Sequence, residues 1–131
     1  MTDGNKGQSG QIKVLLVDDE EGYVNVLAKR MIKRQVEVSI ALSGSEAIQA
    51  LRKKDFDVAV VDLKMEDMDG IEVLKIFKKM DPGLPVVMLT GHGSEQAARD
   101  GVALGAFDYL TKPCGLEDLL ATITKAAKRK E

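Results

Sequence analysis

Five short apolar runs, each followed by residues at helical spacing, constrain this chain more than any other feature. The runs fall at residues 12–17, 36–41, 58–61, 86–89 and 107–110. The third and fourth are nearly unbroken Val, Ala, Leu and Met, the pattern of strands covered on both faces. The second and fifth carry more polar residues and suit the edges of a sheet. Between the runs, Val24, Leu27, Ala28, Met31 and Ile32 recur at the three- and four-residue steps of one helix face. Ser43 and Glu46 have the spacing of a capping box ahead of Ala47, Ala50 and Leu51. Ile71, Leu74 and Phe77 open a third helix, stopped by the turn residues Asp81, Pro82 and Gly83. Ser94 stands where a serine caps a fourth helix, which Gly101 and Gly105 weaken. Leu116, Leu119, Leu120, Ile123 and Ala127 stripe a fifth. It has Glu117 and Asp118 in its first turn and Lys125, Lys128, Arg129 and Lys130 toward its end, as the helix dipole favours. Strands alternating with helices in this way predict an α/β fold: a doubly wound five-stranded parallel sheet with right-handed crossovers.

At 131 residues the chain has room for one domain with a real core. Its 44% hydrophobic and 31% charged residues suit a globular protein rather than a disordered one. A net charge of −2 argues against a protein that coats nucleic acid, and 4% aromatic residues with no Trp argue against a base-stacking surface. No apolar run approaches the roughly 18 residues of a membrane span. Residues 1–10 are polar and Gly-rich, unlike a signal peptide, and are read as a flexible lead-in to a domain at 11–131. Cys114 is the only cysteine, so no intrachain disulfide can form, which fits the reducing cytoplasm.

In such sheets a ligand site lies beyond the carboxyl ends of the strands. There the first run leads into Asp18, Asp19 and Glu20, the third into Asp62, the fourth into Thr90 and the fifth toward Lys112. Three carboxylates brought to one edge repel one another unless a cation stands between them. Oxygen ligands at that density suit Mg²⁺ ahead of Ca²⁺. A Thr hydroxyl and a Lys ammonium are suited to phosphoryl oxygens, and a carboxylate among them can be a nucleophile toward phosphorus.

The segments VDDE, VVDLKMEDMDG, MLTGHG and YLTKP, in this order and at strand ends, resemble the receiver domain of two-component response regulators, similar to the chemotaxis receiver. The resemblance covers about residues 12–128. It implies the flavodoxin-like (βα)5 fold with strand order 2-1-3-4-5, and Asp62 as the residue phosphorylated by a sensor histidine kinase or a phosphotransfer protein. Asp18 and Asp19 would bind Mg²⁺ with Asp62 and the backbone carbonyl of Lys64. Thr90 and Lys112 would hold the phosphoryl oxygens, and Thr90 with Tyr109 would form the switch. The Lys112–Pro113 bond would be cis. The output face would be the fourth helix, fifth strand and last helix, with allowance for a homodimer through it. The domain would assist its own phosphorylation and dephosphorylation without being an enzyme for a separate substrate, and would touch neither nucleic acid nor membrane.

One position departs from the family: Glu66 stands four residues after Asp62, where proline is usual. With Asp67 and Asp69 it makes the loop acidic and less restrained. Glu66 either points into water or reaches back to pair with Lys64 or Lys112. Plainer readings exist for single residues. Asp18 and Asp19 could cap a helix, Tyr109 could be a half-buried strand aromatic, and His92 an exposed loop histidine. Lys64 could sit at the rim of the site without taking part, and Cys114 could be a small residue after Pro113. The same chemical set occurs in phosphatases of the haloacid dehalogenase type, but there the nucleophile precedes the acidic pair and has a second Asp two residues on, where this chain has Lys64. A nucleotide site fails for want of a G-x-x-x-x-G-K-[ST] loop. An EF-hand at residues 65–76 lacks the twelfth-position carboxylate. A receiver-like module that only binds partners stays open, and failure to bind Mg²⁺ would favour it.

Overall fold

Apolar side chains leave both faces of the central strands, and helices lie where those faces need cover. The computed structural model describes residues 10–91 and 93–130. Strands and helices alternate throughout: β1 (Ile12–Val17), α1 (Glu21–Lys33), β2 (Val36–Ala41), α2 (Gly44–Lys53), β3 (Val58–Asp62), α3 (Gly70–Met80), β4 (Val86–Thr90), α4 (Glu95–Ala103), β5 (Asp108–Thr111) and α5 (Leu116–Lys130). All neighbours pair in parallel, in the order β2-β1-β3-β4-β5. This is the doubly wound flavodoxin-like fold, with the two mixed runs, β2 and β5, at its edges. β3 and β4 each continue one residue past their apolar runs, to Asp62 and Thr90. β5 begins one residue later than its run, although the Phe107 N–H still donates to the Val86 carbonyl.

Leu15, Val17, Ala59, Val61, Val86 and Met88 face α2, α3 and α4, while Val14, Leu16, Val58, Val60, Val87 and Leu89 face α1 and α5. Side chains alternate along a strand, and here both phases are apolar, which is why the runs read as continuous. Every residue of β3 and β4 is buried. Burying one Val or Leu contributes about 1.5–3 kcal/mol, so these strands anchor the sheet and with it the residues at its edge. No helix among the described residues is long and apolar enough to cross a membrane.

Helix ends follow the sequence in part. The Ser43 side chain accepts the Glu46 N–H, but the Glu46 carboxylate accepts from Leu42 rather than from Ser43, so the box closes on the residue before the cap. The full reciprocal box belongs to α3, between Asp69 and Glu72. Ser94 is buried and its side chain makes no capping bond to α4. Ile32, the last of the α1 stripe, is 54% exposed although Met31 beside it is fully buried; it lies about 80° round the helix from Val24, at the margin of the covered face. The Lys112–Pro113 bond is cis.

Candidate functional site

Parallel register brings the ends of four strands to one edge. Val17 pairs with Val61, Asp62 with Leu89 and Thr90 with Thr111. Asp18 and Asp19, just beyond β1, therefore stand beside Asp62, the last residue of β3. One carboxylate oxygen from each of the three lies within 4.8 Å of the others. Lys112, the first residue after β5, closes over them. Its Nζ is 2.8 Å from Asp18 Oδ2, 2.9 Å from Glu20 Oε1 and 3.4 Å from Asp62 Oδ1. Its own N–H donates to the Thr90 carbonyl at 2.7 Å, and the Tyr23 ring centre lies 4.7 Å from the ammonium.

Asp18 is fully buried. Its Oδ1 accepts the Glu20 N–H at 2.9 Å. Its Oδ2 has no hydrogen-bond partner among the described residues, because the Lys112 ammonium approaches off the bonding direction. The ion pair with Lys112 offsets the burial of this oxygen and leaves it a lone pair that a cation can share. Burial, then the charge of Asp18, pushes the pKa of Asp62 up to about 6, with Lys112 pulling the other way. Burial would lower the pKa of Lys112, but its contacts with Asp18 and Glu20 and the charge of Asp62 outweigh that and raise it above the usual lysine value. Carboxylates outnumber the ammonium, and every free donor is a hard oxygen. The set fits Mg²⁺.

Thr90 is fully buried and its hydroxyl donates to the Gly91 carbonyl at 3.3 Å. Tyr109 is half-buried against the α2–α3–α4 core, on the sheet face that alternation assigns to Thr90 as well. Lys64 is exposed, and its side chain makes no hydrogen bond or ion pair among the described residues. Glu66 is exposed too and pairs with neither Lys64 nor Lys112. Its backbone is engaged instead: the Glu66 N–H donates to Asp19 Oδ2 at 3.0 Å. Next to it, the Asp67 carboxylate accepts the N–H groups of Gly44 and Ser45 and the Ser45 hydroxyl at 2.9, 3.0 and 3.0 Å, which holds its pKa below the usual carboxylate range. Cys114 is a free, half-buried thiol. His92 and residues 1–9 lie outside the described residues.

Sequence reasoning assigned no site role to Glu20, Tyr23 or Asp67, reading Glu20 only as the residue after the Asp pair and Asp67 only as part of an acidic loop. The first two sit immediately after the Asp pair and one helical turn later, the places from which a side chain reaches the end of β5. Asp67 bonds backbone N–H groups more than twenty residues away, which leaves no local pattern.

The sequence model of the response regulator receiver domain family matches residues 14–124. The transcriptional regulatory protein ZraR of Escherichia coli (strain K12) is 36% identical over 115 residues, which is 88% of this chain and 26% of the relative. The chain thus spans about a quarter of the length of that relative. Among solved structures, a response regulator receiver domain protein from Clostridium thermocellum superposes with a TM-score of 0.88 at 33% identity, covering 91% of this chain and 96% of its own. A CheY-like receiver domain protein from Methanospirillum hungatei superposes with a TM-score of 0.86 at 28% identity, covering 92% and 96%. With the acidic cluster, the buried threonine and the closing lysine all at the ends of a 2-1-3-4-5 sheet, the chain belongs to the response regulator receiver domain family of two-component systems.

Proposed function

We propose that the domain at residues 11–131 is a cytoplasmic phosphoacceptor switch, phosphorylated on Asp62 by a sensor histidine kinase or a phosphotransfer protein. The observation that carries the reading is the meeting of Asp18, Asp19 and Asp62 under Lys112, with Asp18 Oδ2 buried and lacking a directed donor. Asp18, Asp19, Asp62 and the backbone carbonyl of Lys64 would hold Mg²⁺, which when bound supplies positive charge against the phosphoryl oxygens.

The rest is done by the chain itself. An ionised Asp62 oxygen attacks phosphorus. The bond from phosphorus to the donor's imidazole nitrogen breaks, and its electron pair stays on that nitrogen, which is then protonated. Phosphoryl transfer asks the protein mainly for positioning and charge neutralisation. The Lys112 ammonium, 3.4 Å from Asp62 Oδ1, provides a fixed positive charge beside the incoming oxygens. The Thr90 hydroxyl would exchange its Gly91 carbonyl for a phosphoryl oxygen, and Tyr109, on the same face, would move into the space Thr90 leaves. That shifts a two-state equilibrium on the α4–β5–α5 face, where an output partner or a second copy would dock. Hydrolysis of the acyl phosphate resets the switch, so no separate substrate is turned over.

Incubation with Mg²⁺ and a small acyl phosphate tests this. Intact mass should show one added phosphoryl group, and Asp62→Asn should show none. A modified Asp62→Asn protein would overturn the assignment.

A further inference from the structure

Asp19 is tied to the β3–α3 loop by one bond, the 3.0 Å hydrogen bond from the Glu66 N–H to Asp19 Oδ2. Glu66 occupies the place where the family pattern puts proline, and a proline has no N–H to give. The bond is therefore available to this chain and closed to relatives that follow the pattern. The loop that carries it is held on both sides without proline. Asp67, the next residue, bonds across to Gly44 and Ser45 in the first turn of α2. Asp69 caps α3, and the Gly70 N–H donates to the Leu63 carbonyl at 2.8 Å. The Glu66 side chain meanwhile is exposed and unpaired among the described residues. It is the backbone at this position that touches the site.

We propose that the Glu66 N–H, aimed by the tether from Asp67 to α2, is a positioning group that presents Asp19 to a divalent cation. The proposal rests on the reading of Asp18, Asp19 and Asp62 as a Mg²⁺ site. A carboxylate bonded to a fixed donor has already given up rotations that it would otherwise lose on meeting a cation. The donor is also neutral. An ammonium in its place would cancel the charge of Asp19, as a reaching Lys64 would, whereas an amide dipole orients the carboxylate and leaves its charge available. Asp67 acts one step further out. Its three bonds fix the loop backbone one residue from the donor, which supplies the stiffness that proline would otherwise give.

The experiment is Mg²⁺ titration by calorimetry of the 131-residue chain and three variants. Glu66→Gln keeps the N–H and removes only an exposed charge, so its affinity should stay within about twofold of the parent. Glu66→Pro removes the donor and should weaken binding by roughly tenfold or more, the usual scale for a lost partner of a metal-ligating carboxylate. Asp67→Ala should weaken it by about threefold, and the Glu66 amide should exchange its hydrogen faster. A Glu66→Pro protein that binds as tightly as the parent, or tighter, overturns the proposal. Amide exchange in the parent decides the matter if the proline variant does not fold. Under saturating Mg²⁺ the Glu66 amide should stay at least as protected as without metal, and faster exchange would make it a competitor of the cation instead. A parent that binds no Mg²⁺ removes the metal-site reading itself, and the proposal with it. A parent that binds, beside an unchanged proline variant, removes only the proposal.

Discussion

Gly70, the first residue of α3, is pressed against the backbone of Asp62. A Cβ built on it would stand 2.6 Å from the Asp62 carbonyl oxygen and 2.8 Å from the Leu63 Cα. These are backbone atoms, so neither can swing aside, and Gly70→Ala must push the end of β3 away from α3. The expected loss in urea unfolding is about 1–3 kcal/mol, the range for forced overpacking, together with slower phosphorylation because Asp62 moves with its carbonyl. Gly44→Ala is the contrast. Its Cβ would meet Met68 Cγ at 2.4 Å and Sδ at 2.7 Å, the end of a flexible side chain that can repack. It should cost less than about 1 kcal/mol. Equal losses in the two variants would remove the special role of Gly70.

Removing Lys112 should separate signalling from metal binding. Lys112→Ala leaves the buried carboxylate of Asp18 without its only ion-pair partner among the described residues. Breaking a buried pair in this way is strongly destabilising, by about 3–5 kcal/mol. Added Mg²⁺ should therefore raise the melting temperature of the variant more than that of the parent. Phosphorylation of the variant should leave the NMR signals of Tyr109 and the α4–β5–α5 face largely unmoved. A full wild-type shift of those signals would refute the role given to Lys112.

Acidity should act through Asp62 in the metal-free protein. Its pKa is about 6 in the fold against an ordinary 3.8. The folded state thus holds this proton more tightly than the unfolded chain does. The resulting stabilisation is complete below about pH 4 and is lost as pH rises through about 6. Two pKa units set its upper size at about 3 kcal/mol. Urea unfolding in EDTA, run from about pH 4 to pH 7.5 on the parent and on Asp62→Asn, measures it. The asparagine variant should gain on the parent as pH rises, and parallel curves would mean that Asp62 ionises normally. With metal present the order reverses. Mg²⁺ affinity should fall below about pH 6, since the cation must displace the Asp62 proton.

Glu20 is predicted to matter for signalling but not for stability. Its carboxylate shares the Lys112 ammonium with Asp18, yet the Glu20 side chain is 64% exposed. An exposed pair of this kind is worth less than about 1 kcal/mol. Glu20→Gln should leave the urea midpoint within error and, by releasing one of the three carboxylates that hold Lys112, bring the phosphorylation-dependent shifts at lower phosphodonor concentration. An unchanged phosphodonor dependence would place Glu20 outside the switch.

Asp62 and Thr90 were legible because each directly follows an apolar run, and Lys112 because it comes two residues after one; a parallel sheet carries the ends of its runs to one edge. Ser94 stands at the N-cap of α4, as its residue type suggests, but its side chain is buried and makes no capping bond, because cap propensity is local and does not fix where a side chain ends up. Asp69 was overlooked for the opposite reason. Surrounded by acidic residues, it reads as solvated loop, although the glutamate three residues later completes a capping box. The Glu66 bond to Asp19 spans 47 positions and uses a backbone group that every residue but proline carries. Only the missing proline hinted at it, and the side chain that drew attention is the part that faces water.

The sheet divides the interior into two cores. Tyr109 packs with the core beneath α2, α3 and α4, whereas Tyr23, Leu110 and Cys114 pack with the one beneath α1 and α5. The sheet acts as a bulkhead between them. On the proposed switch, a rotation of Tyr109 rearranges neighbours on its own side, and it reaches the far side only as strain across β4 and β3, which are buried throughout and resist it. A protein seated on α1 would therefore feel less of the change than one seated on α4 and β5.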